Sequence, residues 1–137
     1  MREAKDEETL HALSLFVRKL NDECKHGALV VVEGQHDAEA LNSIGFKGNL
    51  FLLCHNRKLT ELASESEKYS KVILLLDLDR KGRALTKKAI IILQGKNNKI
   101  DLFFRRELAK ATKGRLRQIE ELIRFKEGLQ NLTHFNF

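Results

Sequence analysis

The chain has 137 residues, 42% hydrophobic and 32% charged, with 25 lysines and arginines against 19 aspartates and glutamates and a formal net charge of +6. That is one domain of chain with enough apolar material for a core, too little for two domains of ordinary size, and its positive excess favours a polyanionic partner. No apolar run approaches the roughly 18 residues of a membrane helix, and MREAKDEETL has neither the apolar segment of a secretory signal nor the acid-poor character of a transit peptide. A cytoplasmic protein with no membrane partner is expected, its Cys24 and Cys54 kept as thiols. Zinc held by Cys24, His26, Cys54 and His55 is disfavoured, because adjacent Cys54 and His55 are poorly spaced as ligands.

Leu10, Leu13, Val17, Leu20 and Cys24 recur at helical spacing and predict an amphipathic helix over residues 6–24, ended by Gly27. Residues 28–32, short and β-branched, predict a strand buried on both faces. Ala40, Leu41 and Ile44 predict a helix over 36–44, with Asp37 and Glu39 near its positive end. A strand at 50–54, a helix at 59–68 and a strand at 72–76 follow. Strand and helix thus alternate, which implies right-handed crossovers and a parallel sheet covered on both sides. Residues 89–93 suit a strand by propensity, but the alternation requires helix after Gly82. A polar turn at 95–99 leads to a fourth strand at 100–104, and the rest reads as helix in two pieces broken near Lys113 and Gly114. Leu116, Ile119, Leu122, Ile123 and Phe125 are available there for packing.

Two apolar runs end in acids. VVVEGQHD carries Glu33 and Gly34 directly after the first strand, and LLLDLDRKG carries Asp77 and Asp79 after the third. Ligands of open parallel sheets bind at the strands' carboxyl ends. If these two strands are neighbours, three carboxylates meet there and repel one another unless a cation intervenes. An all-oxygen donor set suits magnesium, or manganese, better than zinc. In extended chain Asp77 and Asp79 project to one side while Leu78 faces protein. Gly34 and Gly82 supply turns and let phosphate oxygens approach the backbone. Arg80, Lys81 and Arg83 stand beside the acids, near a helix N-terminus that itself attracts anions. Further along, Arg105, Arg106, Lys113, Arg115 and Arg117 group into a basic C-terminal stretch suited to phosphates.

Glu33-Gly34-Gln35-His36-Asp37 and Asp77-Leu78-Asp79-Arg80-Lys81-Gly82 resemble the two motifs of the Toprim domain, in order, spacing and flanking strands, over residues 26–104. That domain is shared by topoisomerases, bacterial-type primases, recombination proteins and ribonucleases that mature 5S ribosomal RNA. The resemblance implies a Rossmann-like α/β fold with about four mainly parallel strands and helices on both faces. A helix over residues 1–25 would pack on this core, and a basic helical extension would follow over 105–137. It makes Glu33 a general acid or base, Asp77 and Asp79 magnesium ligands, and Asp37 a further metal acid. RREL at 105–108 and IEEL at 119–122 are similar to small stand-alone archaeal members of the family. A topoisomerase would need a separate domain with a nucleophilic tyrosine, and the only tyrosine here is Tyr69.

The expected activity is magnesium-dependent phosphodiester chemistry on nucleic acid, RNA favoured over DNA, as in ribosomal RNA maturation. A non-catalytic nucleic-acid or ribonucleoprotein binding module with a metal site is the alternative from another class, and primase-like nucleotidyl transfer is a third reading. A haloacid-dehalogenase-like phosphatase fits poorly, because its nucleophilic aspartate belongs on the first strand. His36, His55, Asn56 and Arg57 are candidates to line the cleft.

Overall fold

The computed structural model describes residues 6–53, 58–95 and 99–135. The first helix, α1 (Glu7–Lys25), starts where the Asp6 carboxylate accepts the Glu8 amide at 3.2 Å and the Thr9 hydroxyl at 2.9 Å. Then follow β1 (Ala28–Val32), α2 (Gln35–Ser43), β2 (Leu50–Leu52), α3 (Lys58–Ser66), β3 (Lys71–Leu74), α4 (Arg80–Leu93), β4 (Lys99–Asp101) and α5 (Phe103–Ala111). A 3₁₀ helix at Ile119–Phe125 runs into α6 (Lys126–Phe135). The alternation of strand and helix is as the sequence predicts, and residues 89–93 are helical.

All four strands are parallel, in the order β2-β1-β3-β4, with Val30 opposite Leu50, Leu29 opposite Val72 and Val72 opposite Ile100. The chain moves from β1 to one side and returns to the other side for β3. The two strands that end in acids are therefore neighbours, and the switch in strand order falls between them.

The pleat divides the core. Val30, Val32, Ile73 and Leu75 point to one face and pack with α1, α2, α5 and the 3₁₀ helix through Leu13, Leu41, Leu108 and Leu122. Leu29, Val31, Leu74 and Leu76 point to the other and meet Leu62 of α3 with Ala89 and Leu93 of α4. Phe16 of α1 meets Phe104 of α5 edge to face at 5.8 Å. Truncating any fully buried leucine of this set to alanine costs about 2–5 kcal/mol.

The structure differs from the expected elements at the C-terminal end. The fourth strand stops at Asp101, whose carboxylate accepts the Phe104 amide at 3.2 Å and so starts α5 two residues earlier than the apolar run suggests. The tail forms three pieces. Lys113 and Gly114 do break it, both in left-handed backbone with φ of 57° and 74°, but Ile119–Phe125 winds as 3₁₀ before α6 begins. This segment contributes Leu116, Ile119, Leu122, Phe125 and Leu129 to the same core as α1 and α2. Cys54, His55, Asn56 and Arg57 lie outside the described residues.

Candidate functional site at the carboxyl ends of β1 and β3

β1 delivers Glu33 and β3 delivers Asp77 to the same spot. Glu33 Oε2 accepts the Asp77 main-chain N–H at 3.1 Å, and the two carboxyl groups are themselves in hydrogen-bond contact. Asp77 is 9% exposed. Its pKa is pushed up to about 7, first by burial and then by the charges of Glu33 and Asp37, against the pull of an amide donated by Ile119.

Asp37 comes from the first turn of α2 and reaches back to accept the Gly34 amide at 3.1 Å. It also accepts the amide of Glu120. Burial pushes its pKa up, with the charges of Glu33 and Glu120 adding to the effect. Asp79 caps α4, its Oδ1 accepting the Gly82 amide at 2.8 Å, while Leu78 between the two aspartates packs inward against the core.

The two glycines differ. A Cβ at Gly82 would fall 1.8 Å from the Asp77 carbonyl oxygen, so only glycine lets α4 start this close to the acid-bearing chain. Gly34 is extended, with φ of −154°, and a Cβ there would have no other atom within 4 Å. The turn after Glu33 therefore does not depend on glycine.

Arg105, expected on a phosphate-facing surface, is half-buried beside the acids. Its guanidinium donates to the carbonyl oxygens of Leu76 at 3.1 Å and Asp77 at 2.6 Å, fixing the end of β3. Burial and the nearby charge of Arg83 pull its pKa down, while Asp79, Asp77 and Glu33 oppose that. Lys113 is also engaged elsewhere, with Asp6 at 2.7 Å and Glu8 at 2.8 Å at the start of α1. Arg80, Lys81, Arg83, Arg106, Arg115 and Arg117 are exposed. His36 is exposed in the first turn of α2, 3.8 Å from Glu39.

Nothing in the residue types signals that the C-terminal segment closes over the acids through its main chain. Arg117 accepts the Leu78 amide at 2.7 Å, Ile119 donates to Asp77 Oδ1 at 2.8 Å, and Glu120 donates to Asp37. The Arg117 amide is held in turn by Glu121 at 3.0 Å. Main-chain donors leave no mark in residue type, which is why side-chain motifs miss them.

The donor set consists of carboxylates, the chemistry of a hard divalent cation; the pKa of Asp77 is raised first by burial, with the charges of Glu33 and Asp37 adding a repulsion that such a cation relieves. Among the described residues, no group of three or more acidic, histidine or cysteine side chains is arranged to hold a metal ion as it stands. One oxygen of Asp77 and one of Asp79 are engaged by main-chain amides, and Glu33 is engaged by Asp77. A cavity of about 590 Å³ lies away from these acids, between α1 and the start of α5, where Lys71 already pairs with Glu23 at 2.7 Å.

The chain matches the family model of the Toprim domain over residues 28–120. It is similar to UPF0292 proteins of archaea: 38% identical over 96 residues in Thermococcus gammatolerans, covering 70% of this chain and 71% of that one. In Thermococcus sibiricus the identity is 32% over 123 residues, 87% of this chain and 94% of the relative. A solved structure described as a putative protein from Aquifex aeolicus superposes with a TM-score of 0.66 at 29% identity, covering 80% of this chain and 96% of that one. None of the described helices is long and apolar enough to cross a membrane. With its acids at the switch point of a parallel four-stranded sheet, this chain belongs to the Toprim domain family.

Proposed function

We propose that this protein performs magnesium-dependent phosphodiester chemistry on nucleic acid, cleaving RNA in a processing reaction. A Toprim domain is a metal-binding domain associated with nucleic acid; the reaction and the choice of RNA are the finer reading. RNA is preferred on the resemblance to ribonucleases that mature ribosomal RNA. The observation that carries the reading is the contact between the Glu33 and Asp77 carboxyls at the strand ends, with Asp77 raised to about 7.

Asp77, Asp79, Asp37 and Glu33 would hold the cation, with manganese as a substitute for magnesium. The bound cation supplies charge stabilisation to phosphate oxygens and acidifies a coordinated water. Glu33 lies where a carboxylate can take a proton from the nucleophile or give one to the leaving group. Arg105 keeps the end of β3 in place, and Gly82 lets the positive end of α4 approach the same spot. Arg80, Lys81 and Arg83 flank it with positive charge.

A second reading is favoured by the engagement of Asp77, Asp79 and Asp37 by main-chain amides: a binding module whose acids fasten the C-terminal segment. Turnover separates the two. Wild type and an Asp77→Asn/Asp79→Asn double variant are incubated with structured RNA and single-stranded DNA across magnesium concentrations. The enzyme reading requires product from wild type and its loss in the variant; equal product from both, or none from either, leaves the binding module.

A further inference from the structure

Helix α4, RKGRALTKKAIIIL, holds Arg80, Lys81, Arg83, Lys87 and Lys88 and no acid. All five cations are exposed. Among the described residues, none of their side chains makes a hydrogen bond or ion pair. Some cations elsewhere are paired: Lys68 with Glu65 at 3.1 Å, Lys71 with Glu23 at 2.7 Å, Lys110 with Glu107 at 3.6 Å and Lys113 with Asp6 at 2.7 Å; what sets α4 apart is that five cations share one helix with no acid.

The distribution along α4 opposes what the helix alone would favour. Three cations crowd its first turn, the positive end of the macrodipole, and the last turn, where cations are stabilising, has none. Arg80 with Arg83, and Arg83 with Lys87, are like-charge neighbours at i,i+3 and i,i+4, each destabilising by about 0.2–0.5 kcal/mol. Arg83 also repels the half-buried Arg105. A bound polyanion offsets all of these terms at once.

We infer that the outer face of α4 is a binding track for the phosphate backbone of a nucleic acid, with Lys87 and Lys88 as its far end. The inference rests on the proposed function and extends it. Asp79 caps α4, so the track begins at the acids. From Arg80 to Lys88 it runs about 12 Å at helical rise, over which one strand of a duplex presents roughly three or four phosphates. Arg80, Arg83 and Lys87 form one row by helical spacing, and Lys81 and Lys88 form a second beside it. Such contacts position a backbone without reading sequence. A membrane surface fits less well, because the exposed face offers only Ala84 and Ile91 as apolar residues, too few to embed in a bilayer.

The test is binding in EDTA, where turnover does not interfere, of a labelled RNA hairpin to the full chain over a range of salt. Lys87→Gln/Lys88→Gln is expected to lose about tenfold in affinity at low salt and to flatten the slope of log K against log salt by about 1 to 2. A Lys68→Gln/Lys110→Gln variant removes the same charge elsewhere and is expected to keep the wild-type slope; circular dichroism confirms that both variants fold. An unchanged slope in the α4 variant, or an equal loss in the control, overturns the track. So does unaltered RNA binding accompanied by loss of binding to vesicles of phosphatidylserine and phosphatidylcholine. If the α4 variant keeps the wild-type slope while turnover still depends on Asp77 and Asp79, the track alone fails. If wild type binds no nucleic acid, the proposed function fails together with it.

Discussion

Asp77 Oδ1 accepts the main-chain N–H of Ile119 at 2.8 Å, a contact that joins the end of β3 to a segment 42 residues further along. The acid is therefore a fastening for the C-terminal segment as well as a candidate metal ligand. The two roles separate by substitution. Asp77→Asn retains an acceptor for Ile119 and should leave stability equal to or above wild type at pH 8 without metal. Asp77→Ala leaves a buried N–H without a partner and should destabilise by about 1–3 kcal/mol. Urea unfolding of the two variants checks this, and equal stabilities would contradict it.

Stability should depend on pH in a definite direction. The Asp77 pKa is raised to about 7 in the folded state, so between roughly pH 4 and 7 the folded chain retains a proton that the unfolded chain has lost. Stability without metal should fall as pH rises through this window and level off above about 7, by an amount on the order of 4 kcal/mol. Asp37, raised by burial, acts in the same direction. Thermal unfolding in EDTA from pH 4.5 to 8.5 should show the decline, and Asp77→Asn should reduce it.

Arg105 is a positioning residue, because its guanidinium holds the Leu76 and Asp77 carbonyl oxygens. Arg105→Ala should destabilise by about 1.5–3 kcal/mol, the range for a charged hydrogen-bond partner, and should reduce turnover. In EDTA its salt slope for RNA binding should stay near the wild-type value, unlike that of the α4 variant. A slope reduced as in Lys87→Gln/Lys88→Gln would place Arg105 on the phosphate instead.

Gly82→Ala and Gly34→Ala should part company. The first sets a methyl group 1.8 Å from a main-chain oxygen and should cost about 3 kcal/mol or more, by pushing α4 off the end of β3. The second meets no atom and uses extended backbone, so a change within about 1 kcal/mol is expected. Chemical denaturation of both variants is sufficient.

The fold was legible because the first three strands of this sheet are short, largely apolar runs between polar turns, and because Glu33 follows β1 and Asp77 and Asp79 follow β3. Strand order followed less directly: neighbouring acids were a condition, and the pairing of Leu29 with Val72 meets it. Side-chain type said nothing of where Arg105 and Lys113 point. Both sit in a basic stretch that reads as one surface, yet Arg105 turns inward to carbonyl oxygens and Lys113 reaches Asp6 and Glu8. The fourth strand was misjudged at its end because Leu102, Phe103 and Phe104 extend the apolar run, while the Asp101 carboxylate has already begun a helix. The amides of Ile119 and Glu120 were beyond reach for a simpler reason, since every residue but proline carries one.

The claim that the carboxylates of Glu33, Asp37, Asp77 and Asp79 form a divalent cation site is tested most directly by calorimetric titration of the full chain with magnesium at pH 8. Saturable binding to wild type that disappears in Asp77→Asn/Asp79→Asn is the expected result. Absence of binding, or identical binding to the double variant, would contradict it.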